Sequence, residues 1–336
     1  MRILMVSGSR ADRGLLEPVK VALTLDHNIE VIALRGNGST AHEIVDSLRG
    51  VFMVELMNAL EMPRPDLMMI LGDRYEIMQA AVVATIYGVP IAHLCGGDIT
   101  EGSYDNQFRH AITKLSHIHF VTNEGSAEVV RSMGEADVHV VGSPGLDGIT
   151  DNLLRRNEIP IDFLDTNILV CHYPATLGNV GEFDEVLAAV DEIPGRKIFI
   201  LPNSDVGSDR ALWKLKGREY VYKGLDRQMF LSLMKECDVV VGNTSAGLHE
   251  APSMNTPTVN VGDRQKGRLA GASVIHARAE RGEIVEAINC ALTGTFVYNN
   301  PYGDGNASAK IAKILKDYKP GRAKHDNFRL WVSDNL

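Results

Sequence analysis

Cysteine is scarce: four in 336 residues, at positions 95, 171, 237 and 290, with no C-x-x-C pair. That spacing argues against a zinc knuckle and a disulfide framework, and it fits reduced thiols in a cytoplasmic protein. Long apolar runs are missing too; none approaches the ~20 residues of a membrane-spanning helix, so no membrane partner is expected. The N-terminal "MRILMVSGSR" turns polar after one short run, which reads as a first strand and its turn, not as a secretory leader. Basic charge is in deficit, with 34 Lys and Arg against 43 Asp and Glu and a net charge of −9. A general nucleic-acid binder needs a basic face, so that class is set aside. A small anionic ligand is not, and in so acidic a chain a local cluster of arginines carries information. G-x-G-x-x-G, P-loop and H-E-x-x-H signatures are also missing, and no metal ligand set or cofactor is expected.

What is present is a repeated unit. Apolar runs of four to six residues, each closed by Gly, Pro or a polar turn, recur six times in each half. They are "RILMVSG", "EVIALRG", "DLMMILG", "VPIAHLCGG", "HIHFVT" and "DVHVVGSPG", then "NILVCHYP", "KIFILPN", "EYVY", "CDVVVGN", "TPTVNVG" and "ASVIHA". Continuous rather than alternating runs suit strands buried on both faces of a parallel sheet. Between them lie helical patterns such as "NQFRHAITKLS", which sets Phe108, Ala111, Ile112 and Leu115 on one stripe. The expected fold is α/β, two doubly wound Rossmann-like domains facing a cleft. The expected boundaries are 1–165 for the first domain, 166–305 for the second, and 306–336 for a terminal helix and tail, with the Pro-containing stretch 148–165 as the crossover.

In open parallel sheets ligands bind beyond the carboxyl ends of the strands, so the turns after each strand carry the search. In "VVVGNTSAGLHEAP" (239–252) a strand breaks at Gly242 and enters a short helix near Ala246 that should stop before Pro252. Backbone N–H groups there, with Thr244, Ser245 and Gly247 leaving room, can cradle a phosphate, and Glu250 can accept from a ribose diol. An ordinary strand–helix turn uses the same small residues. Downstream, "VGDRQKGR" sets Arg264, Lys266 and Arg268 in a Gly-bounded loop suited to phosphate or simply to solvent. Arg10 lies in the first turn, "SGSRADRG".

The first half supplies carboxylates. "LGDRYE" exposes Asp73 at a strand end, and "IAHLCGGDITEGSYDNQFRH" (91–110) exposes Asp98 at the next. Asp105 falls in the first turn of a helix, where the dipole favours it, and Arg109 lies one turn on, so capping and an i, i+4 pair would also account for Asp105. Carboxylates crowded at one sheet end perturb each other's proton affinity, which suits general acid/base work. His172 ends the first strand of the second half and is a candidate for leaving-group stabilisation.

Taken together and in order, these turns resemble the UDP-N-acetylglucosamine 2-epimerase family, most closely its hydrolysing branch. The matching pieces are "SGSRAD", "LGDRYE", residues 91–124, "VVGSPGLD", "CHYPAT", "LPNSDVGSD", residues 240–268 and "ASVIHA". The resemblance implies a glycosyltransferase-B-like fold, a UDP-sugar substrate held mainly by the second domain, and a homodimer or homotetramer. It implies catalytic roles for Asp73, Asp98, Asp105 and His172. Arg10, Ser245, Ala246 and Gly247 would contact the diphosphate and Glu250 the ribose; Arg109, Asn203, Asn243, Arg264 and Arg268 are the further candidates for binding the UDP-sugar. The implied reaction gives N-acetylmannosamine and UDP through a 2-acetamidoglucal, a step toward sialic-acid-type sugars. Three departures stand out: Asp98 where the family often carries Glu, Asp105–Asn106 where it often carries an acidic pair, and a short segment between Gly36 and Pro63. Alternatives are a UDP-2,4-diacetamido-2,4,6-trideoxyhexose hydrolase, a non-hydrolysing epimerase, a glycosyltransferase of the same fold, and a non-catalytic nucleotide-sugar sensor.

Overall fold

The computed structural model describes residues 1–8, 10–33, 51–61, 63–100, 105–173, 181–201 and 212–321. The apolar runs become strands. In the first unit these are β1 (Arg2–Ser7), β2 (Asn28–Ala33), β3 (Leu67–Leu71), β4 (Ile91–Leu94), β5 (Ile118–Val121) and β6 (Val138–Val140). They pair in parallel in the order β2-β1-β3-β4-β5-β6. The second unit holds β7 (Asn167–Cys171), β8 (Arg196–Leu201), β9 (Val221–Lys223), β10 (Val239–Gly242), β11 (Thr258–Val261) and β12 (Val274–Ala277). Their order is β12-β11-β10-β7-β8-β9, again all parallel.

Successive strand residues point to opposite faces, and here both faces are covered. Ile3 and Met5 of β1 and Met69 of β3 join one core with Leu16, Val19 and Leu23 of α1 (Arg10–Leu23). Leu4, Val6, Met68 and Ile70 join the other, with Leu56 and Leu60 of α2 (Val51–Glu61) and Ile77, Ala81 and Ala84 of α3 (Tyr75–Ile86). Ile112 of α4 (Asp105–Leu115) closes that second layer. This is why the central strands read as unbroken apolar runs. The edge strands β6, β9 and β12 depart from the both-faces-buried expectation, since most of their residues are only half-buried. An edge has one neighbour fewer and less helix over it.

The remaining helices are α5 (Glu124–Ser132), α6 (Glu182–Glu192), α7 (Arg227–Glu236), α8 (Ala246–His249), α9 (Ala251–Met254), α10 (Arg281–Thr293) and α11 (Ala307–Lys316). The short helix begins at Ala246 and stops before Pro252, as expected. The chain ends α8 at His249 and restarts as α9 with Pro252 in the first turn, where a missing N–H leaves no bond unmade. The break between compact units falls at Asp147–Gly148, and the chain returns to the first unit at Tyr302. The stretch 148–165 therefore goes with the second unit, and the terminal helix is no separate tail. Its Ile311 and Leu315 enter the core beneath β1 and β3, and Asp147 accepts from the N–H groups of Ala307 (2.9 Å) and Ser308 (2.6 Å) at its start.

Each sheet has a point where strand order reverses, between β1 and β3 in the first and between β7 and β10 in the second. Ligands of doubly wound folds sit at such points. Asp73 follows β3, while His172 and Asn243 follow β7 and β10.

Candidate functional site

In the first unit the carboxylates organise about one guanidinium. Arg109, on the first turns of α4, is only 1% exposed. Its Nη1 donates to the Asp98 carbonyl (2.6 Å) and Asn106 Oδ1 (2.8 Å), and its Nη2 pairs with Asp73. Burial alone would push the Arg109 pKa down. The charges of Asp73, Asp98 and Asp105 outweigh it and hold the pKa above its ordinary value. Three carboxylates that the sequence scatters over 33 positions thus act on a single buried cation. Arg109 was expected to contact the nucleotide sugar. In the structure it is buried against three protein partners and ties the two carboxylate turns to α4.

The strand ends are built to allow this. Gly72 takes a φ of +86°, and its carbonyl accepts from His93 Nε2 at 2.9 Å. His93 is fully buried, and burial brings its pKa down to about 3, so the ring is neutral. A carbonyl only accepts, so Nε2 carries the proton, and Nδ1 receives the Thr113 hydroxyl at 3.2 Å. His93 thereby ties the turn that presents Asp73 to α4. Gly97, at φ +85°, lets the next turn lie against α5: a Cβ there would sit 2.2 Å from the Ser126 carbonyl oxygen. That approach brings Asp98, 7% exposed, onto the hydroxyls of Ser126 (2.8 Å) and, more weakly, Thr122 (3.4 Å). Neither hydroxyl was anticipated. The one signal was Asn123, whose side chain caps α5 and also donates to Thr122. Asp105 opens α4 and is half-buried.

In the second unit Gly242 holds φ +143° because β10 ends hard against β7; a Cβ would lie 2.2 Å from the Cys171 carbonyl oxygen. The next residues, His172 and Asn243, meet as a result. Asn243 is fully buried: its Oδ1 accepts from Tyr173 N (2.7 Å), and its Nδ2 donates to Tyr173 O (2.7 Å) and His172 Nε2 (3.4 Å). The side chain expected to touch the nucleotide is thus committed inside the protein. Its backbone carbonyl accepts from Arg264 (3.0 Å) and Gln265 (2.8 Å), which folds the basic loop onto the β10 turn. Arg268 donates to Gln265 Oε1 at 2.9 Å. His172 stacks on Phe183 with centroids 5.9 Å apart, and burial, then Arg264, lower its pKa to about 3.

Ser245 precedes α8, with Ala246 and Gly247 in its first turn; a Cβ on Gly247 would meet Thr258 Cγ2 at 2.6 Å. Glu250 sits at the junction of α8 and α9, its pKa raised by burial against the opposing pull of Arg227, 3.5 Å away. Arg10 opens α1, but its side chain, like all of Asn203, lies outside the described residues. Among the described residues no helix is long and apolar enough to cross a membrane, and no cluster of three or more His, Cys, Asp or Glu could hold a metal ion.

Two all-parallel, doubly wound sheets, with polar turns gathered at each reversal point, define a protein of the twin-Rossmann, glycosyltransferase-B-like class. Residues 2–316 match the family model described as UDP-N-acetylglucosamine 2-epimerase, and the chain belongs to that family. It is 30% identical to the "Polysialic acid biosynthesis protein P7" of Escherichia coli over 96% of this chain and 88% of that one. It is 32% identical to the "UDP-N,N'-diacetylbacillosamine 2-epimerase (hydrolyzing)" of Legionella pneumophila, over 94% and 95%. Among solved structures it resembles the UDP-GlcNAc 2-epimerase of Neisseria meningitidis bound to UDP-GlcNAc, with a TM-score of 0.77, 18% identity, and 95% and 100% coverage.

Proposed function

We propose that the chain is a hydrolysing 2-epimerase that converts UDP-N-acetylglucosamine and water to N-acetylmannosamine and UDP. The observation that carries this reading is the set of three carboxylates acting on buried Arg109 at the carboxyl end of the first sheet. Epimerisation at C2 without a redox cofactor needs such groups. In the first step a carboxylate takes the C2 proton, the C2–H electrons form the C1–C2 double bond, and the C1–O bond breaks with its pair leaving on UDP. In the second, water adds to C1 and gives up a proton, while C2 is reprotonated from the other face.

Asp98 and Asp105 are the proton-transfer groups in this scheme, and Asp73, paired with Arg109, orients them. His172 and Arg10 stabilise departing UDP. The N–H groups of Ser245, Ala246 and Gly247, with Arg264 and Arg268, hold the diphosphate, and Glu250 takes the ribose diol. Asn203 completes the nucleotide contacts. The hydrolysing outcome is favoured by the style of "GDRYE", "FRHAITKLSHIHF" and "GDRQKGR". The same reading places the enzyme in the cytoplasm as a homo-oligomer. A second reading, a 2,4-diacetamido sugar as substrate, is favoured by the name of the 32%-identical relative.

The test is a proton NMR time course with UDP-N-acetylglucosamine in D2O. Free N-acetylmannosamine deuterated at C2, appearing with UDP, is the expected result. UDP-N-acetylmannosamine as product would move the assignment to the non-hydrolysing branch. UDP binding without turnover, followed by turnover of the diacetamido substrate, would replace the sugar. Full activity in Asp98→Asn would remove Asp98 from the chemistry.

A further inference from the structure

We propose that Asn243 is a positioning residue that locks the neutral His172 ring as the Nδ1–H tautomer, so that a single N–H faces the departing diphosphate. The argument begins with the amide. Asn243 Oδ1 faces the Tyr173 N–H and Nδ2 faces the Tyr173 carbonyl, each at 2.7 Å, so a flipped amide would set donor on donor and acceptor on acceptor. Its Nδ2 is therefore a donor toward His172 Nε2, and that nitrogen must present its lone pair. The proton of a neutral ring then belongs to Nδ1.

Among the described residues nothing else competes for Nε2. Glu182 Oε2 lies 3.9 Å from Nε2, beyond hydrogen-bond range, and the Phe183 ring covers one face. Arg264 adds positive charge on the same side of the sheet and, with burial, keeps the ring unprotonated. The Nδ1 atom is buried and has no hydrogen-bond partner among the described residues. A buried donor left unmet is costly, on the order of 1–3 kcal/mol, and calls for a partner. A phosphate oxygen of the substrate supplies one, gaining charge as the C1–O bond breaks. This assignment rests on the reading above that UDP departs beside His172.

Ring-15N-labelled histidine and two-bond 15N–1H correlation spectra test it directly, with His172→Asn to assign the signal. The wild-type free enzyme should show a neutral His172 protonated at Nδ1. In the near-isosteric Asn243→Asp, a carboxylate oxygen replaces the amide donor and the proton should move to Nε2. At about pH 8, where the spectra verify a neutral ring, kcat of that variant should fall about 10²-fold, the usual cost of one preorganised donor. UDP affinity should fall with it, by about tenfold, because the phosphate oxygens of bound UDP lose the same donor. A wild-type ring protonated at Nε2 would overturn the proposal whether or not the variant folds. So would a flipped ring with undiminished kcat. The tautomer is read without substrate, so a wild-type enzyme that releases no UDP would sink the assigned reaction separately.

Discussion

Removing Arg109 is the sharpest perturbation of the first unit. In Arg109→Met a chain of similar length stays in place, but Asp73 loses its cation and the Asp98 carbonyl and Asn106 lose their donor. Breaking one side of a buried pair costs about 3–5 kcal/mol. Asp73 keeps 24% of its side chain exposed, so water relieves part of the loss and the lower end, about 3 kcal/mol, is expected. Hydrogen exchange is the appropriate assay, because two compact units need not unfold together. Amides of β3, β4 and α4 should open about 10²-fold more readily, since 1.4 kcal/mol is a factor of ten, while those of β7 and β10 stay protected. Arg109→Met with Asp73→Asn should recover about 1–3 kcal/mol, the coupling typical of residues in one network. Arg109→Lys should fall between, because one ammonium cannot reproduce the fork that serves three oxygens. Unchanged exchange in α4, or equal loss in both units, would refute the claim that Arg109 braces the carboxylate turns.

The other predictions concern acidity and close approach. His93 and His172, each held to about 3 against an ordinary 6.5, favour the folded state above pH 6.5 and lose that contribution as pH falls toward 3. The stability slope in that window should approach about 1.4 kcal/mol per pH unit for each ring, and urea midpoints of His93→Gln should show a shallower fall. Glu250 has the opposite sign: its raised pKa means the fold favours the neutral acid, a stabilisation present below 4.5 and lost as pH rises through the folded value. Glu250→Gln should therefore stabilise the free protein at neutral pH yet bind UDP about tenfold more weakly by calorimetry, since a charge-assisted acceptor is lost. Gly97→Ala should destabilise by more than about 1 kcal/mol in a denaturant titration, because a positive φ and a 2.2 Å approach to the Ser126 carbonyl oxygen both forbid the methyl.

Much of this was legible in the chain because parallel strands are covered on both sides. Leu4 and Met5 fall in different cores, so no polar residue interrupts β1, and each run ends where Gly72, Gly97 or Gly242 frees the backbone. The strands follow from local pattern; their order in each sheet does not. Nor do the partners of the site residues. Arg109 reads naturally as a helix-surface partner of Asp105, four residues away, yet it pairs with Asp73 because α4 and the end of β3 meet only in the folded sheet. Asn243 reads as one more small polar residue in a phosphate-type turn. Its real commitments, to Tyr173 and His172 some 70 residues earlier, come from the closeness of β10 and β7 that Gly242 permits. The terminal helix misleads in the same way, being last in sequence but packed beside the first strand.

The two neutral imidazoles show what kind of information was missing. His93 and His172 are both buried, both have a pKa lowered to about 3, and both stand near a reversal point. Residue type, burial and acidity therefore cannot separate them. Their partners can. His93 faces a carbonyl at Nε2 and a hydroxyl at Nδ1, so both nitrogens are engaged and the ring serves as a strut between the Gly72 turn and α4. His172 faces an amide donor at Nε2 and has nothing at Nδ1 among the described residues. The first ring is fixed with its proton on Nε2, the second with its proton on Nδ1, and only the second has a hydrogen bond left to give. Exchanging the restraint, with Asn243→Asp at one ring and Thr113→Val at the other, should accordingly divide the outcomes. The first moves the His172 proton and lowers turnover, while the second lowers stability of the first unit and leaves the His93 proton on Nε2.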